Sequence, residues 1–224
     1  MSVNTFVPSP SGTLYGVVLN DQSSIERMGA GLREAPYKAE PKAPILYIKP
    51  ANTRSESGAT IILPPAADRV EIGATLGVII GRPAYRLSLD DAAQAVAGYL
   101  PVADLSLPHS SYYRPAIREK CFDGSCVLGA PVPAQHVADP SALVLRTRIN
   151  GAHAQDFPLS SLLRKVPELL HDVTEFMTLS TGDVLLVGVL WQAATARAGD
   201  RVEVEAEGLG QIAFTIGAQA QEAA

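Results

Sequence analysis

Short apolar segments that end at turn residues dominate the hydrophobic pattern of this sequence, and they predict a chain built mainly from strands. Residues 74–80 (ATLGVII) form a mostly apolar run closed by a glycine, which indicates a buried strand. Residues 142–149 alternate in strand fashion and lead into Asn150-Gly151, a strong turn signal. The same criteria predict strands at 13–20, 45–50, 183–189 and 200–206, and a hairpin-like element at 57–65.

Three segments carry helix signals instead. Serine caps, acids in a first turn, alanine-rich bodies and apolar stripes at helical spacing are the features that identify them. The predicted helices cover 22–32, capped by Ser23 or Ser24; 88–99, capped by Ser88; and 158–176, where Pro167 either kinks the helix or marks its first turn.

The strands outnumber the helices, and the two do not alternate as they do in a doubly wound sheet. This order favours an α+β domain that is mostly β over a dinucleotide-binding fold. At 224 residues the chain fits one domain, which we place at residues 13–217, with flexible tails at 1–12 and 218–224.

Residues 98–129 form a turn-rich run in which groups suited to binding and catalysis are concentrated. Lysine and arginine bind carboxylates, a buried acid can hold a cation, and histidine can exchange protons near neutral pH. The alternative is that the acid caps a turn and the other groups face solvent. The candidates are Asp104, His109, Arg114, Arg118 and Lys120, and Ser106 and Tyr112 could add hydrogen bonds.

Charge and composition exclude several functions. A net charge of -5 without basic clusters argues against nucleic-acid binding. No apolar run reaches the roughly 20 residues that span a bilayer, and the first residues lack the features of a signal peptide. Only two cysteines occur, Cys121 and Cys126, which favours a reducing, cytoplasmic location over a disulfide scaffold.

Several segments, taken in order, resemble the fumarylacetoacetate hydrolase family. Each is weak alone, but together they cover nearly the whole chain from about residue 13. The resemblance implies a mixed β-sandwich or roll with a few short helices. The matching pieces are YIKP at 47–50, LGVIIG at 76–81, AGY at 97–99 followed by Asp104, KCFDG at 120–124, NG at 150–151 with Gln155, GD at 182–183 and 199–200, and EGLG at 207–210.

The resemblance narrows to a branch that acts in bacterial 4-hydroxyphenylacetate (homoprotocatechuate) catabolism. The relevant runs are APYKAEPK at 35–42 and SYYRPAIREKCFDG at 111–124. That branch isomerises 2-hydroxyhepta-2,4-diene-1,7-dioate and decarboxylates 5-carboxymethyl-2-oxo-hex-3-ene-1,7-dioate. Two such units occur there, fused or as separate subunits, and this chain resembles the N-terminal one.

The family implies a hard divalent ion, Mg²⁺ or Mn²⁺, held by oxygen ligands. Its E-x-E pair is replaced here by Gly73 and Thr75, while its aspartate is retained as Asp104. Glu71 lies on the same strand face but roughly 6–7 Å along the strand from the first ligand position. We therefore expect metal binding by this chain to be weak or absent.

Other positions depart from the family as well. The histidine that the hydrolases use as a base corresponds to Ser24 in this chain. The family's arginine before the glutamine is replaced by Ala154, and a family threonine is replaced by Leu159. The resemblance assigns catalytic roles to Lys120 and Asp104, with Asp104 also the remaining metal ligand. It assigns substrate binding to Lys49, Arg114, Arg118 and Gln155.

Three functions remain open from the sequence. The first is an isomerase/decarboxylase-type subunit for dicarboxylates, in which the isomerase half-reaction needs proton transfer and a cradle for anions. The second is a non-catalytic partner of a metal-bearing sister chain of the C-terminal type, and the third is a free-standing binder of small dicarboxylates. We expect a homodimer or a heteromer.

Overall fold

A computed structural model describes residues 7–109 and 113–218, so the candidate Tyr112, half of the predicted N-terminal tail and nearly all of the C-terminal one lie outside the described residues. Residues 7–12 pass close to the turn before residue 184, where the Gly12 amide donates to the Gly182 carbonyl at 3.0 Å. None of the described helices has the length and apolar character needed to cross a membrane.

The described residues form two sheets and four short α-helices. The strands are β1 (Leu14–Val18), β2 (Ile45–Lys49), β3 (Arg54–Glu56), β4 (Thr60–Ile62), β5 (Val70–Ile80), β6 (Val96–Ser106), β7 (Cys126–Leu128), β8 (Val132–Pro133), β9 (Val144–Ile149), β10 (Ala152–Pro158), β11 (Val184–Leu186), β12 (Thr195–Ala196), β13 (Arg201–Ala206) and β14 (Gly210–Gly217). The helices are α1 (Gln22–Met28), α2 (Leu89–Ala92), α3 (Ile117–Lys120) and α4 (Val166–Thr174).

The larger sheet has nine strands in the order β2-β1-β11-β5-β6-β7-β3, with β12 added beside β5 and β8 beside β6. The smaller sheet has five, in the order β10-β9-β13-β14-β4. Both contain parallel and antiparallel pairs, so the predicted α+β, mostly β fold with mixed sheets is confirmed.

The two long central strands, β5 and β6, have a core on each face. On one face, Ile72 and Leu76 belong to the large core shared with Phe214 of the smaller sheet. On the other face, Ile79 and Leu100 pack in a second apolar cluster with residues of β1 and β11. Burial on both faces explains why these strands read as nearly continuous apolar runs.

The larger sheet is coiled into a roll. Strands β2 and β6 stand four positions apart in the strand order, which in a flat sheet would separate them by roughly 19 Å. Yet the Nζ atom of Lys49, on β2, lies 2.7 Å from a carboxylate oxygen of Asp104, on β6. The sheet must therefore curl until β2 faces β6 across its interior.

Three sequence predictions were wrong in their local structure. The predicted helix at 88–99 ends at Ala92, because from Val96 onwards the chain pairs with β5, and this pairing overrides the helix propensity of the alanines. The predicted hairpin at 57–65 is absent: β3 pairs with β7 and β4 pairs with β14, both in parallel. The cap of α1 is Asp21, whose carboxylate accepts from the Ser24 amide.

For Pro167, one of the two predicted alternatives is confirmed: it marks the first turn of the helix. Helix α4 begins at Val166, and Pro167 lies in its first turn, where a missing amide hydrogen costs nothing. The same strand criteria located β1, β2 and β9 to within two residues.

Gly16 allows the edge strand β2 to place its tyrosine inside the roll. Gly16 is paired with Tyr47, and a Cβ atom at Gly16 would lie 2.0 Å from the tyrosine ring. We expect Gly16→Ala to lower the free energy of unfolding by about 1–3 kcal/mol, because the ring has to move.

Urea denaturation monitored by circular dichroism measures this effect, with Gly31→Ala as the matched control. A Cβ at Gly31 meets no atom within 4 Å, so the control should be neutral or slightly stabilising. Equal stabilities for the two variants would contradict the proposed role of Gly16.

Candidate active site

Asp104 is the centre of the candidate site. It lies on β6 rather than in the predicted turn-rich loop, opposite Gly73 of β5, and it is 1% exposed. Its Oδ1 atom is 2.7 Å from Nζ of Lys49, and its Oδ2 atom is 3.1 Å from Nζ of Lys120. The Tyr47 hydroxyl donates a hydrogen bond to Oδ2. We call Lys49, Asp104 and Lys120 the lysine–aspartate cluster.

The ammonium group of Lys49 is enclosed by oxygen atoms. Besides Asp104, it donates to the Leu105 carbonyl at 2.9 Å, to the Ser125 carbonyl at 3.0 Å and to the Ser125 hydroxyl at 3.1 Å. The Lys120 carbonyl is a further acceptor. Since the side chain is completely buried, the structure places this ammonium away from any ligand-accessible surface.

Lys120 is the member of the cluster that meets a cavity. It ends α3, and its ammonium lies 4.6 Å from the centroid of the Tyr47 ring. The adjoining cavity has a volume of about 370 Å³, is walled largely by apolar side chains from β2 and α3, and includes Arg114. An apolar cavity with a few convergent polar groups is typical of a small-molecule site.

The cluster carries two positive charges and one negative charge in the protein interior. Burial alone would raise the pKa of Asp104, but Lys120, Lys49 and the hydrogen bonds bring it below its ordinary value. Burial lowers the pKa of Lys120, Asp104 opposes this, and the like charge of Lys49 lowers it further. Asp104 is therefore ionised at neutral pH, and an anion beside Lys120 would be stabilised.

The positions that correspond to the family's E-x-E pair contain no carboxylate and little space. A Cβ atom at Gly73 would lie 2.6 Å from the Asp104 carbonyl oxygen and 2.8 Å from a methyl group of Val189. The hydroxyl of Thr75 is buried and has no hydrogen-bond partner among the described residues. Glu71 is half-buried two positions earlier, where burial raises the pKa of its carboxyl group and Lys120 opposes the rise.

These residues do not fit a divalent metal ion. Both oxygens of Asp104 face ammonium groups, and no group of three metal-ligating side chains occurs in the described part of the chain. Mg²⁺ requires several oxygen ligands near 2.1 Å, whereas Asp104 is engaged by two lysines and Glu71 lies two positions before the family's first ligand position.

The structure does not bring the other predicted site residues to the cluster. Arg118 is exposed and lines a separate depression with Arg69 and Glu119. The side-chain oxygen of Gln155 accepts from the Ala194 amide at 2.9 Å, which fixes the segment before β12. Their predicted substrate-binding roles remain predictions.

Two further positions from the sequence analysis have structural partners. Ser24, which replaces the family's histidine, is buried and accepts from the Trp191 amide at 2.9 Å. His109 is half-buried rather than a surface loop residue, with its Nδ1 atom 3.3 Å from the Ser106 hydroxyl. Burial lowers the pKa of His109, and the Leu107 carbonyl opposes this.

Sequence reasoning missed Tyr47 and Ser125. Tyr47 and Lys49 are two positions apart on one strand, so they share a face, and this period-two relation could have identified the tyrosine once Lys49 was chosen. Ser125 acts largely through its backbone carbonyl, which any residue type would provide, so no sequence signal marks it.

With the geometry established, comparison with known proteins identifies the family. The family model described as "Fumarylacetoacetate (FAA) hydrolase C-terminal" matches residues 13–217 of the chain. The chain belongs to the fumarylacetoacetate hydrolase family. Several relatives that it matches are named as enzymes, which makes this chain an enzyme by family resemblance.

The chain is 39% identical over 197 residues to the 4-hydroxyphenylacetate degradation bifunctional isomerase/decarboxylase of Escherichia coli. This alignment covers 88% of the chain and 45% of the E. coli protein, and the chain spans about half the length of this and two further curated relatives that it matches.

Solved structures confirm the fold. The 5-carboxymethyl-2-hydroxymuconate delta-isomerase of Mycobacterium smegmatis superposes with a TM-score of 0.79 and 28% identity, covering 96% of this chain and 82% of that one. The fumarylpyruvate hydrolase of Pseudomonas aeruginosa, in complex with Mn²⁺ and pyruvate, superposes with a TM-score of 0.82 and 21% identity, covering 97% and 94%. At that identity, the second likeness concerns the fold alone.

Replacing Asp104 with asparagine should destabilise the protein by about 3–5 kcal/mol at neutral pH, because two buried ammonium groups lose their counter-charge. Since the pKa of Asp104 is lowered on folding, its contribution is complete well above the ordinary value of 3.8 and is lost as the pH falls through the lower folded pKa. The stability difference between wild type and Asp104→Asn should therefore shrink below about pH 4.

Urea denaturation across the pH range measures this difference, with Asp68→Asn as the control. Asp68 forms an exposed ion pair with Arg69, and its replacement should have little effect at any pH. An Asp104→Asn variant as stable as wild type at pH 7 would contradict the assignment of charges.

Proposed function

We propose that this chain is an isomerase/decarboxylase-type subunit acting on 2-oxo and 2-hydroxy-diene diacids, and that it needs no metal ion. Its primary reaction is the tautomerisation of 2-hydroxyhepta-2,4-diene-1,7-dioate. The observation that carries the proposal is the buried lysine–aspartate cluster, which presents Lys120 to a cavity that also contains Arg114. The isomerase names of the E. coli and M. smegmatis relatives support the reaction class.

The chemistry requires one proton to leave the 2-hydroxyl oxygen and one to be added at C5, at the far end of the diene. The dienolate formed in between carries its negative charge largely on the C2 oxygen. A preorganised ammonium beside that oxygen stabilises the dienolate more than it stabilises the neutral dienol. Lys120 is placed to provide this interaction, and Arg114 can hold a terminal carboxylate with two parallel hydrogen bonds.

Asp104 has an indirect role in this scheme. Its carboxylate is engaged by two ammonium groups and a tyrosine hydroxyl, so it is poorly placed to accept a substrate proton. Instead it fixes the position of Lys120. The same anion site would stabilise the enolate left when 5-carboxymethyl-2-oxo-hex-3-ene-1,7-dioate loses CO₂.

We further propose that the chain works as a homodimer or with a second family unit of the C-terminal type. The E. coli relative is long enough to contain a second unit of this length. We place the complex in the cytoplasm, because Cys121 and Cys126 are both free thiols. The comparisons lend no support to a purely non-catalytic partner, which becomes one outcome of the tests below.

Lys120→Met keeps the volume of the side chain but removes its charge. We expect kcat/KM for the dienol to fall by roughly 10²–10³-fold, as for the loss of an oxyanion-stabilising donor. The decay of the diene absorbance measures the rate. Arg148→Ala, on β9 in an exposed ion pair with Glu205, is the control and should retain wild-type activity.

A Lys120→Met enzyme within twofold of wild type would exclude the proposed role. If the wild-type chain shows no turnover alone but enhances that of a sister subunit, the partner function is correct instead.

Metal independence is tested by calorimetric titration of the chain with Mn²⁺, in parallel with Asp104→Ala. We expect no micromolar binding to either protein, and tautomerase activity that is unchanged by a chelator. Micromolar binding to wild type that disappears in Asp104→Ala would mean that a metal site forms around Asp104 and that the proposal is wrong on this point.

A further inference from the structure

We propose that the oxygen cage around Lys49 is a cation site whose resident cation is the chain's own ammonium group. If the lysine stem is removed, the cage should bind a free primary alkylammonium ion. This inference concerns the architecture of the site and does not depend on the reaction proposed above.

The number of acceptors distinguishes the cage from an ordinary ion pair. Five oxygen atoms surround Nζ: one carboxylate oxygen, one hydroxyl and three backbone carbonyls. They come from β6, from the end of α3 and from the segment that leads into β7. An ammonium has three N–H donors, so these five acceptors outnumber the donors that they surround.

The oxygens of the cage depend on the cation. Carbonyl groups of Leu105, Lys120 and Ser125 converge on one buried point, and the Asp104 carboxylate is directed at the same point. Without a cation, these oxygen atoms would face one another in the interior with no donor, and a buried charge or polar group without a partner is strongly destabilising.

The spacing selects the class of cation. The contacts of Nζ with Leu105 and Ser125, at 2.9–3.1 Å, have the length of N–H···O hydrogen bonds, and the ion pair with Asp104 is 2.7 Å long. They are longer than the 2.0–2.1 Å that Mg²⁺ demands, so a divalent ion would have to contract the cage. A primary ammonium has both the required size and the required donors.

Lys49 is therefore a positioning residue rather than a substrate ligand. By holding Oδ1 of Asp104 it leaves Oδ2 for Lys120 and Tyr47, the two groups that line the cavity.

The test is chemical rescue of Lys49→Ala. This substitution removes three methylene groups and the ammonium, which together correspond to n-propylammonium. Equilibrium urea denaturation of the full chain, with n-propylammonium chloride as the variable, should show a saturable increase in the folding equilibrium constant. The increase is about tenfold when the amine exceeds its Kd about tenfold.

Four controls define the specificity. Neutral 1-propanol has a similar shape without the charge, and tetramethylammonium has the charge without N–H donors; neither should rescue. Lys49→Met fills the channel with an apolar stem, so that variant should be destabilised and should not respond to propylammonium. Wild type, whose cage is already filled, should not respond either.

Every outcome decides the proposal. Rescue by propylammonium alone supports it, and if Lys49→Ala is unfolded without additive, recovery of its circular dichroism on refolding in propylammonium supports it equally. Equal effects of propylammonium and propanol, no rescue of a folded or refolded Lys49→Ala, or a Lys49→Met variant as stable as wild type would each overturn it. Because the readout needs no substrate, it can succeed even if the proposed tautomerase activity fails.

Discussion

The contact between Lys49 and Asp104 is the constraint on which the rest of the structure depends. It connects the edge strand of the larger sheet to a strand four positions away, and so holds the sheet in its coiled form. The apolar cluster inside the roll, the position of Tyr47 over Gly16 and the placement of Lys120 beside the cavity all require that curvature. In this protein the fold and the candidate site are closed by the same ion pair.

A buried ion pair is an expensive way to close a sheet, since the desolvation of both charges offsets much of their attraction. The structure limits this cost by supplying hydrogen-bond acceptors for every donor of Lys49 and by giving Asp104 three partners. An apolar pair of equal volume could have closed the roll as well. It could not have placed an ammonium next to the cavity, and this difference accounts for the retention of charge in an otherwise apolar interior.

The sequence predicted some of these features and not others, for identifiable reasons. Strands with clear alternation or long apolar runs, such as β5 and β9, follow from side-chain periodicity alone. Strand β6 was assigned to a helix and a loop because its first residues are alanine-rich, and only pairing with β5 makes it a strand. Consequently Asp104 was placed in a loop, although the residue itself was identified.

The geometry of the candidate site could not be predicted either, because it also depends on tertiary structure. Asp104 and Lys120 were identified as candidates in the turn-rich run 98–129, and Lys49 was added by the family resemblance. The distances between them depend on how far the sheet coils, which no local pattern encodes. The oxygen cage consists mainly of backbone carbonyls, and these leave no trace in the residue types. Sequence alone therefore indicated candidate groups, and the tertiary structure distinguishes the internal lysine, Lys49, from Lys120, which lines the cavity.

The close packing at Gly73 has a consequence for substitutions at this position. The lysine–aspartate cluster has one positive charge in excess, so it can accommodate one more carboxylate, whether from a ligand or from a mutation on β5. A glutamate gained next to Asp104 would first displace Val189 and then neutralise the charge that favours an anionic ligand. A carboxylate added at this position would thus weaken anion binding beside Lys120.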